Sequence, residues 1–192
     1  MTTRLLLAIA TLPLLSGCLR GDAPAPRLLG PLPDARPATT ARDRAHDLVV
    51  RLGLVEGGAP ATIELLHHRA DGEVVRDPAW RWSEPPIAVW RRALMAAAPQ
   101  GGVTLVDSPD AAAVSSTLLR FGTLRGADGA TAMSIVAEIV VTRADHRIEA
   151  VTVAKQVPIG PELPGEVPRA AAEVLDQAAT EAWQRVRAVA GP

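Results

Sequence analysis

The chain predicts an α+β fold: a two-layer sandwich in which a mostly antiparallel sheet carries two helices on one face. Three observations lead there. Met133, Ile135, Ala137, Ile139 and Val141 alternate with Ser134 and Glu138, the period of two of a sheet with one dry face. Ile87, Trp90, Leu94 and Ala98 recur at spacings of three and four, the stripe of an amphipathic helix. Ala171, Val174 or Leu175, Ala178, Ala182 and Val186 repeat that spacing near the end of the chain.

The elements follow in order. Residues 48–55 read as a strand, closed by Glu56, Gly57 and Gly58. Residues 62–68 form a second strand. Asp71-Gly72 then supplies a turn that tolerates positive φ, and residues 73–76 return as a short strand. Residues 80–82 stay extended after Pro78. Ser83 can cap a helix, Glu84 favours its positive end, and Pro85 and Pro86 are tolerated in a first turn. That helix runs to Ala98 and stops at Pro99, Gln100, Gly101 and Gly102, with Arg91 and Arg92 opposite its apolar stripe. Strands follow at 103–106, 114–124, 131–143 and 148–157, and residues 158–167 are a proline-rich loop. A closing helix spans 168–190, with Pro168 at its start and Arg185 and Arg187 near its end.

Composition narrows the function. The 192 residues hold 35 alanines, 19 arginines, a single lysine and only 3% aromatics, so Leu, Val, Ile and Ala build the core around four tryptophans. A net charge of −1 argues against nucleic acid and against a polybasic membrane patch. The lone Cys18 excludes an intramolecular disulfide and a cysteine-based zinc site.

Cys18 also ends a recognisable segment. Arg4 precedes an apolar run over residues 5–15, too short for a bilayer-spanning helix but right for a signal peptide. Leu15-Ser16-Gly17-Cys18 follows and resembles the bacterial lipobox. The resemblance implies cleavage after Gly17 and acylation (palmitate included) of Cys18. Two or three acyl chains anchor stably, at about 0.8 kcal/mol per buried CH₂. Leu19, where an aspartate would retain a lipoprotein in the inner membrane, favours the periplasmic face of the outer membrane. Residues 18–45 contain five prolines and no apolar periodicity, and read as a lipid-anchored tether that does not pack. Residues 46–192 are then one domain.

The order of pieces in that domain resembles the ABC-type transport auxiliary lipoproteins, the paraquat-inducible protein C family. The lipobox, Asp71-Gly72-Glu73, the segment Arg81-Trp82-Ser83-Glu84-Pro85-Pro86 leading into a helix, an Ala-rich helix-like link from Asp110 to Val114, and Leu119-Arg120-Phe121 closing a strand carry the likeness. It implies a lipoprotein without catalytic residues. Such a protein docks a periplasmic mammalian-cell-entry-type subunit, part of a complex with an ABC permease and ATPase, to the outer membrane. The alternative is a structural lipoprotein that assists assembly of an outer-membrane protein or polymer. Either role is compatible with a homo-oligomer.

The residues themselves offer little chemistry. There is no Gly-x-Ser-x-Gly elbow, phosphate loop or His-Glu-x-x-His pair. His67 and His68 are adjacent on a strand, point to opposite faces, and read as surface or edge histidines. Asp107, Asp110 and Asp128 fall in turns, where they serve local backbone groups. No enzyme activity, metal or cofactor is expected. Trp80 and Trp82, two apart, point the same way and serve as core anchors or line an apolar groove. Trp80, Trp82, Pro158, Ile159 and Leu163 are the candidate contacts for partner or lipid.

Overall fold

A computed structural model describes residues 25–29, 48–58, 62–143, 147–160 and 165–190. In chain order the elements are β1 (Arg27–Leu29), β2 (Leu48–Gly57), β3 (Glu64–Arg69), β4 (Val74–Trp82), α1 (Pro86–Ala97), β5 (Val103–Leu105), β6 (Ala112–Arg125), β7 (Thr131–Thr142), β8 (Ile148–Pro158) and α2 (Val167–Ala190). The α+β class holds. The Ala-rich stretch from Asp110 to Val114 is not helical, since β6 already begins at Ala112.

The eight-stranded sheet is organised around β6. One edge of β6 takes β7, antiparallel over nearly its whole length, and β8 pairs antiparallel outside β7. The other edge serves two strands in succession. β2 runs parallel to residues 112–118, and β3 runs parallel to residues 123–125. β5 extends the sheet beyond β2, and β4 then β1 extend it beyond β3. The sheet is therefore mixed rather than purely antiparallel: its long ladders, β6–β7 and β7–β8, are antiparallel, and the shorter pairings of β1, β2 and β5 and of β3 with β6 are parallel. Short turns join the three antiparallel pairs, whereas the strands parallel to β6 are reached through long connections that allow the chain to reverse.

Turn chemistry and packing follow from the residues. Gly72 and Gly129 adopt φ of 91° and 83° in the turns before β4 and β7, where a side chain would be strained. The inward row of β7 (Met133, Ile135, Ala137, Ile139, Val141) is fully buried. Small residues on α2, among them Ala171, Ala178 and Ala182, let that helix lie close against β7 and β8. The N–H of Trp183 donates to the Leu94 carbonyl (2.7 Å) and ties α2 to α1. Gly101 allows this approach, because a Cβ there would stand 2.5 Å from Cβ of Trp183. The N–H of Trp90 donates to Ser116 Oγ (2.9 Å), and that hydroxyl donates to the Glu138 carbonyl (3.1 Å). Both indoles are thus core anchors with satisfied polar ends.

Two local expectations change. Ser83 does not cap α1, whose N-cap is Pro85 with no side-chain hydrogen bond. Instead the Ser83 N–H donates to the Leu29 carbonyl (3.2 Å). Glu84 takes the Arg92 guanidinium in a two-pronged pair (2.8 and 3.1 Å), which holds its carboxyl below the usual range. Second, one short piece of the proline-rich stretch, β1, packs on the domain. Leu29 is 2% exposed, and β1 runs parallel to β4 with Arg27, Leu28 and Leu29 opposite Trp80, Arg81 and Trp82.

Candidate functional site

β4 is bent to deliver its tryptophans. Leu66 pairs with Arg76 and Glu64 with Arg81, so β4 spends extra residues between the two pairs. Asp77 and Pro78 sit in this excess, and Asp77 Oδ1 accepts the Ala79 N–H (2.8 Å). Past it, Trp82 turns into the core, 3% exposed, with its ring centroid 5.0 Å from that of Phe121. Its indole N–H is buried without a partner among the described residues. Trp80 remains partly buried, and the Arg27 guanidinium stands 5.6 Å from its ring centroid.

The candidate contacts divide accordingly. Trp82 and Ile159 are buried in the core, so a surface contact falls to the half-buried Trp80 and the exposed Pro158. Ile159 is fixed by its N–H to the Thr131 carbonyl (2.9 Å). Leu163 and Cys18 lie outside the described residues. Trp80 and Pro158 do not form one patch. β3, β6 and β7 separate their strands, four inter-strand steps or ~19 Å along the sheet. Around β1 and the end of β4, Leu28 (67% exposed) and Ile63 are the apolar side chains left open.

The two histidines are more engaged than surface residues. They do take opposite faces. His67 bridges Asp77 Oδ2 (2.8 Å) and Thr123 Oγ1 (2.7 Å) through its two ring nitrogens. This Asp–His–Thr chain has the order of a nucleophilic triad, but Thr123 is 2% exposed and a substrate cannot reach its hydroxyl. It joins β3, β4 and β6 at the end of the inward face. His68 lies on the other face, 7% exposed, with a buried Nε2 that has no partner among the described residues. Burial, then Arg120 and His67, hold its pKa below the usual histidine value. No spacing rule reveals these contacts. The one local signal is the Asp71-Gly72 turn, which folds Asp77 back toward His67.

Charge elsewhere is structural. Lys155 of β8 and Arg185 of α2 both pair with Glu181, and these bonds, Lys155 first, lower its carboxyl pKa against the effect of burial. Arg185 also donates to the Thr152 carbonyl on the edge strand (2.9 Å). Among the described residues no cluster of three His, Cys, Asp or Glu side chains could hold a metal ion. Among them, too, no helix is long and apolar enough to cross a membrane.

No family model matches the chain, and no curated protein matches it. Solved structures do share its fold. A Xanthomonas campestris protein of the DUF330 family is 16% identical, with a TM-score of 0.61 over 72% of this chain and 85% of that one. A second structure, of a protein described as uncharacterized, is 15% identical, with a TM-score of 0.59 over 74% and 93%. A minor lipoprotein from Acinetobacter baumannii is 12% identical, with a TM-score of 0.44 over 76% and 96%. The first two define the class as the α+β fold of the DUF330 protein.

Proposed function

We propose that this chain is a non-enzymatic envelope lipoprotein that serves an ABC-type, mammalian-cell-entry-type lipid transport system by docking a periplasmic subunit to the outer membrane. The observation that carries the reading is residues 81–86. This segment bears the family resemblance, and in the fold it is where β4 ends, β1 docks and α1 begins. The register of Arg4, the apolar run and Cys18 supports the lipid anchor. A fold shared with a DUF330 protein is compatible with both. Binding is favoured over catalysis because the most triad-like group is closed to substrate.

The test is crosslinking in intact cells from photoreactive residues at Trp80 and Pro158, with Arg187 on the exposed face of α2 as the comparison site. Crosslinks from Trp80 or Pro158 to a co-encoded mammalian-cell-entry-type protein, absent from Arg187, are the expected result. Crosslinks to an outer-membrane barrel or secretin instead would replace this reading with the assembly role.

A further inference from the structure

We propose that β1 ends the tether, and that the β1–β4 edge rests on the phospholipid headgroup surface that holds Cys18. The inference rests on the reading of Cys18 as the lipid anchor. Arg27 is nine residues after Cys18, and a fully extended chain of that length reaches about 30 Å. Were the chain free as far as Leu48, thirty residues would reach about 100 Å. Docking of β1 is fixed by one buried side chain and by backbone pairing: Leu29 is buried beside Trp82, and the Leu29 carbonyl accepts the Ser83 N–H. The anchor therefore pulls on one particular edge of the sheet. The two long strands β7 and β8 lie toward the other side of the molecule.

The chemistry of that edge suits a headgroup layer. Leu28 is exposed, with Arg81 opposite it on β4. Arg27 stands over Trp80. Arginines meet lipid phosphates, an indole settles at the interface, and an exposed leucine enters the apolar boundary below. Such contacts are weak alone, but the short chain keeps the local concentration of membrane high.

Two insertions separate this arrangement from a passive spacer. A fifteen-residue Gly/Ser segment is placed between Pro26 and Arg27, before β1, or between Ala38 and Thr39, after it. The full chain is purified from membranes, its acylation at Cys18 is verified by mass, and it is reconstituted in 3:1 phosphatidylethanolamine:phosphatidylglycerol vesicles carrying a headgroup acceptor dye. Donors are attached through Ser83→Cys near β1 or Ile148→Cys at the start of β8. In the parent, transfer from position 83 exceeds transfer from position 148. The insertion before β1 lengthens the mean reach of the free chain roughly 1.6-fold and lowers transfer at 83. The insertion after β1 leaves it unchanged. Equal effects of the two insertions, or greater transfer from 148 in the parent, overturn the proposal while the anchor stands. An unmodified Cys18 overturns the anchor, and the proposal with it.

Discussion

A Cβ at position 122 would stand 2.3 Å from the Leu66 carbonyl oxygen, so β3 passes β6 where only a hydrogen fits. The obstacle is backbone on both sides and cannot rotate away. Gly122→Ala is therefore expected to destabilise the fold by about 3 kcal/mol, at the upper end of ordinary overpacking. Gly53→Ala is the control, since its Cβ would make an ordinary 3.5 Å contact with the Val114 carbonyl. Urea unfolding of both variants checks the contrast; equal midpoints would show that β3 yields.

Leu29 makes the start of the chain part of the core. A protein beginning at residue 25 is expected to melt cooperatively. One beginning at residue 46 loses Leu29 and uncovers the neighbouring Trp82 side chain, a loss of ~3 kcal/mol. Circular dichroism melts of the two fragments decide this. Identical melting temperatures would mean that β1 contributes nothing.

Ser116 satisfies the Trp90 N–H inside the core. Ser116→Ala leaves that donor buried and unpaired, at a cost of about 2 kcal/mol. Trp90→Phe removes the donor itself. A double-mutant cycle should therefore show strong coupling, with Ser116→Ala nearly neutral in the Trp90→Phe background; additive losses would deny the bond a role.

His68 titrates in the direction opposite to a salt-bridged histidine. Its folded pKa lies below the ordinary value near 6.5, so the unfolded chain binds more protons as pH falls past that value. The parent is expected to be fully stable above pH 6.5 and to lose stability from there down to the lowered folded pKa. His68→Phe keeps a ring and removes the orphan nitrogen, so its melting temperature should change less between pH 7.5 and 5.5. A further acid loss, common to both proteins, follows as Glu181 protonates, because its folded pKa is lowered and its pairs need the carboxylate. Parallel pH profiles for parent and variant across the upper range would exclude His68 as the cause.

Much of this architecture is legible in local pattern. The alternation in β7, the stripes of both helices and the two glycine turns each act within a few residues. What is not legible acts at a distance. Parallel pairing to β6 leaves no mark on β2 or β3, which read the same beside an antiparallel neighbour. β1 has three residues and a single buried side chain, too few for any periodicity, inside a stretch whose prolines suggest a spacer. The Trp80 and Trp82 pair is visible as two tryptophans two apart, but which of them reaches the surface depends on the irregular β3–β4 register. The Asp77–His67–Thr123 chain joins residues 10 and 56 positions apart, beyond any local motif.

The double use of one β6 edge has a consequence for how the molecule comes into being. β2 and β3 join one sheet only through a strand that starts at residue 112. A chain emerging amino end first can form the β3–β4 hairpin and helix α1, yet it has no continuous sheet until residue 125 is free. Closure then spans the 56 positions between His67 and Thr123, an entropic cost met before pairing contributes, and such topologies fold slowly. The amino-terminal half therefore holds its hairpin and helix without a closed sheet until the middle of the chain has emerged and β6 can pair with both β2 and β3.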